Sequence, residues 1–350
     1  MVSIDGSIGE GGGQVLRTAL TLSALTGQPV EIANIRAGRP NPGLQPQHLT
    51  AVQAAAAICQ ARVGGAKLGK QALRFAPQSP AISGKYTYGV VEIAGRGEGG
   101  GGGLGFQPGF LPLALAPGES HLTLRGGTHV PWAPSVDYLQ EVFLPTVASM
   151  GLEAEVDLVA WGFYPAGGGE VRVRIRGRSG SLSPIALTDR GAVRRVWGRG
   201  VVSNLPAHIP QRMVDRARNL LARAGLRADL QPLVVRGAGP GAGIFLFVQY
   251  EHARAGFTAY GRKGLPADQV AEAACRDLLA HHETGAPVDP YLADQLLLPM
   301  ALATGVSRIV TSAITRHLLT NLAVLQAFLP IRATVEGSEG RPGTVTIIRA

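Results

Sequence analysis

A histidine heads an apolar helix in TSAITRHLLTNLAVLQAFLP (311–330), where His317 follows Thr315 and Arg316 and precedes leucines at helical spacing. An imidazole there either caps and packs, or it acts as a nucleophile. The positive end of the helix dipole disfavours protonation and keeps the ring neutral. In GEGGGQVLR (9–17), glycines lead into a helix whose first turns carry Gln14 and Arg17. Free backbone N–H groups and a guanidinium can then face an anion, with Glu10 beside them able to hold a divalent metal. The plain alternative is a tight turn with a solvated Glu and Arg. NIRAGRPNPGLQPQHLTAV (34–52) brings Arg36, Arg39, Gln47 and His48 to a loop ending at another helix start, either a convergence of phosphate donors or a surface loop with incidental arginines. YLADQLLLPMALATG (291–305) sets Asp294 and Gln295 at the entry of an apolar helix, where Asp is also an ordinary N-cap.

Other patterns are weaker. GGAKLGKQ (64–71) resembles a P-loop, but Gln71 stands where Ser or Thr would hold magnesium and no helix follows. GRGEGG (95–100) fits a dinucleotide-binding fingerprint, yet Pro108 and Pro112 interrupt the helix that should follow and no acidic residue ends a second strand. Arg172, Arg174, Arg176 and Arg178 share a strand face, the usual pattern of a solvated surface, and His281–His282 reads as a helix end.

The elements that must position these residues recur. Segments 12–27, 105–118 and 292–305 each carry Gln, apolar residues at helical spacing and a terminal Gly suited to a left-handed cap. Each leads to a strand-like run and a second helix, at 47–61, 135–151 and 316–330, followed by alternating strands such as EVRVRIRGR and GTVTIIRA. The spacing predicts an α+β (α/β) fold of three tandem βαβαββ units, with His48 and His317 at equivalent helix starts. Residues 184–286 break the pattern and are bounded by the linker-like SGSLSP and GAPVDP. They predict a smaller inserted α+β domain, with 1–183 and 287–350 forming the large domain.

A chain of 350 residues suits such a two-part arrangement. The net charge of +9 calls for an anionic partner. Of 33 basic residues only Lys67, Lys70, Lys85 and Lys263 are lysine, the other 29 being arginine, whose fork matches phosphate oxygens in pairs. An arginine-rich genome would leave the same mark. Cys59 and Cys275 lie in apolar helical patterns without zinc spacing, as expected of a protein of the reducing cytoplasm. No apolar run reaches membrane-spanning length and no export signal opens the chain.

Five stretches in order, GEGGGQVLR, IRAGRPNPGLQPQHLTAV, GFYPAGGGEV, YLADQLLLPMALA and RHLLTNLAVLQAFLP, resemble the motifs of the RNA 3′-terminal phosphate cyclases over nearly the whole length. The resemblance implies ATP-dependent conversion of an RNA 3′-phosphate end to a 2′,3′-cyclic phosphodiester, with His317 as the nucleophile that takes AMP. It implies that Glu10 helps hold Mg2+ or Mn2+. It also implies that Arg17, Arg36, Arg39, Gln47 and His48 grip phosphate. Gln107, Tyr291, Leu292, Ala293, Asp294 and Gln295 would form the ATP site, Asp294 also orienting the His317 ring. The glycine run before Gln107 departs from the family pattern. Two rivals remain: a non-catalytic, cyclase-like RNA-binding ribosome-assembly factor, against which His317 argues, and a nicotinamide enzyme built on 95–100. Oligomeric state is left open, a homodimer included.

Overall fold

The computed structural model describes residues 1–89, 103–131 and 133–349, so the glycine-rich 95–100 stretch lies outside the described residues. The architecture is mixed α/β, with four four-stranded mixed sheets.

The first sheet joins β1 (Val2–Asp5), β2 (Val30–Ala33), β3 (Arg62–Gly64) and β4 (Leu73–Ala76) in the order β1-β2-β4-β3. Helices α1 (Gly13–Thr26) and α2 (Pro46–Cys59) flank β2 in sequence. The same order returns in a second sheet as β5-β6-β8-β7, from β5 (Lys85–Gly89), β6 (Glu119–Gly126), β7 (Glu153–Ala160) and β8 (Gly169–Arg176). A third sheet repeats it as β9-β14-β16-β15, from β9 (Ala186–Leu187), β14 (Gly305–Thr311), β15 (Arg332–Glu336) and β16 (Gly343–Arg349). In each sheet the first pair is parallel and the next two antiparallel. A parallel pair needs a crossover, and a helix supplies it.

In the second sheet the crossover helix is α3 (Gly103–Ala114), which forms despite Pro108 and Pro112. Spaced four apart, the two prolines leave their missing N–H groups on one helix face. Next comes a helical run, α4, made of Val136–Tyr138, the π-turn Leu139–Phe143 and Leu144–Ala148.

The fourth sheet, β11-β10-β12-β13, comprises β10 (Val193–Ser203), β11 (Ala228–Val235), β12 (Gly241–Tyr250) and β13 (Arg254–Tyr260). Its helices are α5 (His208–Arg223) and α6 (Ala267–Thr284). They enclose a separate core around Met213, Leu221, Leu246 and Leu278, while Val201, Phe245 and Phe247 of the same sheet join the main core. β9 falls inside the expected 184–286 insertion yet pairs in parallel with β14, so the strand that opens the third sheet stands before the inserted sheet and its partners after it.

The chain re-enters the main body through α7 (Pro290–Leu302) and, after β14, α8 (Arg316–Phe328). Cys59 and Cys275 are both free and buried, and burial pushes their thiols up to about 11 and about 12. Among the described residues no helix is long and apolar enough to cross a membrane.

Candidate active site

α1 and α8 lie side by side and run the same way. Glu10 meets His317 just before one helix and at the start of the other, the Thr18 hydroxyl donates to Asn321 Oδ1 at 2.8 Å one turn on, and Gln28 Nε2 donates to the Phe328 carbonyl near both ends. Both helix N-termini therefore open at one place, where their positive ends add. The start of α2 joins them, because the His48 ring presses on Gly13. A Cβ added to Gly13 would stand 2.2 Å from His48 Nε2. α1 has Gly12 as its N-cap, with no side-chain cap and no acidic residue in its first turn, so its leading N–H groups remain open to a ligand.

His317 is the second residue of α8, behind the N-cap Thr315, whose hydroxyl accepts the Leu318 N–H at 3.0 Å. Its Nε2 lies 3.1 Å from Glu10 Oε2, with the two side chains 46% and 27% exposed. Burial holds the ring below the ordinary histidine value; Glu10 pulls upward, and Arg17 and Arg39 push down. Burial thus favours the neutral form of the ring, which is open to solvent and not sealed in hydrocarbon. Glu10 reaches it because Gly9 takes φ +60 and lies against α8, where a Cβ would stand 1.8 Å from Thr320 Oγ1.

Glu10 Oε2 also lies 3.5 Å from Arg39 Nη2. Arg36 Nη2 donates to the Asn41 carbonyl at 3.2 Å, and the Nε atoms of both Arg36 and Arg39 are buried without a partner. Two inward-turned guanidinium donors left unpaired are costly unless an anion completes them. Gln47 follows Pro46 at the start of α2, and its side chain makes no hydrogen bond among the described residues.

Arg17 sits deeper. Its Nε donates to Gln107 Oε1 at 2.9 Å and its Nη2 to Gln14 Oε1 at 2.6 Å. Desolvation lowers it to about 10, and Asp294 opposes that. The same three residues, with Asp294, Gln295, Thr18 and Asn321, form the polar lining of a cleft between α1, α3, α7 and α8. Phe106, Phe110, Phe143, Leu298 and Leu325 supply its apolar lining, and Pro134 and Leu139 close it from the α4 side.

The structure alters four expectations. The N-cap of α7 is Asp289, which accepts the Tyr291 and Leu292 N–H groups, both at 2.9 Å, ahead of Pro290 at the first helical position. Asp294 is instead one turn inside, where burial raises it to about 7 against the pull of Arg17. The carboxylate beside the His317 ring is that of Glu10, and Asp294 makes no ion pair or hydrogen bond among the described residues. His48 is no exposed phosphate ligand: it is 3% exposed, its Nδ1 accepts the Gln45 N–H at 3.0 Å, and burial, then Arg17 and Arg36, push it down to about 3. It acts as a cap for α2 and a buttress for α1. By position in the first turn, His317 corresponds to Gln47 rather than His48.

Leu292 and Ala293 face the core, while Tyr291 is exposed and Gln295 Nε2 donates to its carbonyl at 3.0 Å. Asp289, Thr18 and Asn321 were missed by the sequence reading. The Asp-Pro pair ahead of an apolar run was a legible N-cap signal for the first. Asn321, four residues after His317, was legible as a neighbour on its face.

A metal at Glu10 would find at most one further His, Cys, Asp or Glu beside it, such as His317, since no group of three stands together among the described residues. One carboxylate fits Mg2+ or Mn2+ carried in on nucleotide phosphates, a common way of binding such ions, and does not fit a resident all-protein site.

Converging helix N-termini, arginine donors without partners and the His317 ring stand together at this opening. The family model for RNA 3′-terminal phosphate cyclase matches residues 8–335. RNA 3′-terminal phosphate cyclases of Trichormus variabilis and Methylococcus capsulatus are each 51% identical to this chain, over 97% of both chains for the first and over 99% of this chain and 96% of the other for the second. The solved enolpyruvyl transferase NikO from Streptomyces tendae aligns over 99% of this chain and 48% of its own at 10% identity with a TM-score of 0.38, too low to inform the fold. The chain belongs to the RNA 3′-terminal phosphate cyclase family.

Proposed function

We propose that the protein uses ATP to convert an RNA 3′-terminal phosphate into a 2′,3′-cyclic phosphodiester, with His317 carrying AMP between the two substrates. A neutral imidazole nitrogen of His317 attacks the α-phosphorus. The N–P bond forms as the bond to the β-phosphate breaks, and pyrophosphate leaves. Positive charge grows on the ring in that step, and the Glu10 carboxylate beside it stabilises that charge. An oxygen of the RNA 3′-phosphate then takes the adenylyl group, the P–N bond breaks and the imidazole is restored. The vicinal 2′-OH attacks the 3′-phosphorus, expelling AMP and passing its proton to solvent. Joining the monoester to AMP is what supplies a good leaving group, and the ribose already places the 2′-OH.

The observation that carries this reading is the His317 ring at the shared opening of α1, α2 and α8, 3.1 Å from Glu10, which in turn meets Arg39. Arg36 and Arg39 have unpaired donors to offer the RNA terminal phosphate, with Gln47 next to them. Arg17, Gln107, Asp294 and Gln295 line the cleft in which the nucleotide would lie, with Tyr291, Leu292 and Ala293 forming the turn of α7 that precedes them. A divalent Mg2+ or Mn2+ bound with ATP and touched by Glu10 would neutralise the departing pyrophosphate. We further assign the three matching sheets, with their helices, to one large catalytic domain of three βαβαββ units, and the fourth sheet with α5 and α6 to an inserted domain. Two free thiols fit a reducing cytoplasm.

The test is conversion of an oligoribonucleotide 3′-phosphate. Product resistant to phosphatase, formed only with ATP and a divalent metal, supports the reading. Binding of the RNA without any cyclisation would favour the non-catalytic relative.

A further inference from the structure

We propose that the loop 65–71, through Lys67 and Lys70, binds the sugar–phosphate backbone of the single-stranded RNA just upstream of the terminal nucleotide. This rests on the cyclase reading and extends its site. The loop is fastened to the phosphate-binding segment by backbone bonds. The Gly69 N–H donates to the Leu44 carbonyl at 2.9 Å, the Leu44 N–H to the Lys70 carbonyl at 2.9 Å, and the Ile35 N–H to the Gln71 carbonyl at 2.9 Å. Gly43 lies so close to the loop that a Cβ there would stand 2.2 Å from the Gly69 carbonyl oxygen. Leu44 precedes Gln45, the N-cap of α2, so Lys70 is tied directly to the element carrying Gln47 and His48, whose ring rests on the start of α1.

Several arginines on the strands and on the inserted domain are already paired with acids, whereas this loop's lysines are not. Arg172, Arg174 and Arg176 each meet a glutamate. On the inserted domain Arg194, Arg212 and Arg216 are likewise paired with acids. Lys67 and Lys70 are exposed and make no ion pair among the described residues. Half of the four lysines of the chain stand in this one loop. The nearest acid along the neighbouring strands is Glu31, opposite Arg74 in the β2–β4 pair. Between the two lysines Leu68 is 55% exposed, a small apolar surface on which a base can rest. Lysine, a compact and mobile point charge, suits phosphates read without sequence preference. A strand whose 3′-phosphate lies on Arg36 and Arg39 would leave over 40–45 and meet the loop next.

The test measures binding of an oligoadenylate about twelve nucleotides long, with a 3′-phosphate, to wild type and to the double variant Lys67→Gln, Lys70→Gln across a salt series. The proposal expects binding about tenfold weaker at low salt and a salt slope smaller by about 1.4, two phosphate contacts of a single strand. A nucleoside 3′-phosphate, lacking any upstream phosphate, should bind both proteins alike, and the pair Lys67→Arg, Lys70→Arg should restore the slope. Transfer of AMP to the protein, which needs no RNA, reports that the variant is folded. An unchanged slope, or an equal loss for the nucleoside 3′-phosphate, overturns the proposal. Wild type that prefers a 3′-hydroxyl end would overturn the cyclase reading and this proposal together.

Discussion

The Thr18 hydroxyl donates to the Asn321 carboxamide oxygen at 2.8 Å, and this buried bond fixes α8 against α1 one turn from His317. Thr18→Val keeps the shape and strands the Asn321 oxygen. Thermal unfolding should show a loss of about 1–3 kcal/mol. A small rotation of α8 would shift His317, so kcat for cyclisation should fall about 10- to 100-fold, and KM for ATP should rise because Thr18 and Asn321 line the cleft.

The acid limb of the pH–rate profile for AMP transfer reports His317. Its pKa is lowered, so the neutral nucleophile survives below the usual histidine range. Measured in Asp294→Asn, so that the carboxyl near 7 does not contribute, transfer should be level through neutrality and fall only at a midpoint below 6.5. Glu10→Gln removes the one group that pulls upward, and the midpoint should move lower still. A midpoint above 6.5 in that background would mean that the ring is held charged.

Asp294 gives a prediction with opposite consequences for stability and activity. Its folded pKa is raised to about 7 from 3.8, so the folded protein holds a proton that the unfolded chain gives up. Stability is therefore lost as pH rises through that interval. Asp294→Asn should be more stable than wild type at pH 8 by about 1–2 kcal/mol, less than the whole shift would give because the carboxylate keeps some contact with water. Near pH 4 the two should melt alike. Losing the carboxylate opposite Arg17 should also slow AMP transfer, as expected where a destabilising group serves function. Equal melting at pH 8 would show that Asp294 is not desolvated.

Gly9→Ala tests how Glu10 is delivered. A Cβ at φ +60, directed into Thr320 Oγ1, forces the 9–12 loop away from α8. Stability should drop by about 1–3 kcal/mol and AMP transfer by more than tenfold. Thr320→Ala in the same chain removes the contact atom but not the backbone strain, and should recover only part of the activity.

Much of this architecture was legible because it depends on local patterns. The helices of 12–27 and 316–330 follow from apolar spacing and terminal caps, and their recurrence gave the common unit before any contact was known. Partnership across the chain was not legible. Nothing local to Glu10 says that a left-handed glycine presses its loop onto α8, so the carboxylate beside His317 was assigned to Asp294. His48 looked like a ligand because a buried neutral cap and an exposed phosphate donor share the same residue type and the same place at a helix start. Only its burial against Gly13 separates them. Lys67 and Lys70 were set aside with the failed P-loop, since sequence shows neither the bonds to Leu44 nor the lack of acidic partners.

Covalent chemistry at His317 is tested most directly by incubating the protein with ATP labelled at the α-phosphorus and Mg2+ or Mn2+, then denaturing it and counting bound label. The account predicts incorporation approaching about one label per chain, released by acid and stable to base as a P–N bond requires, and absent from His317→Asn. No bound label with either metal, or label that persists in His317→Asn, would contradict it.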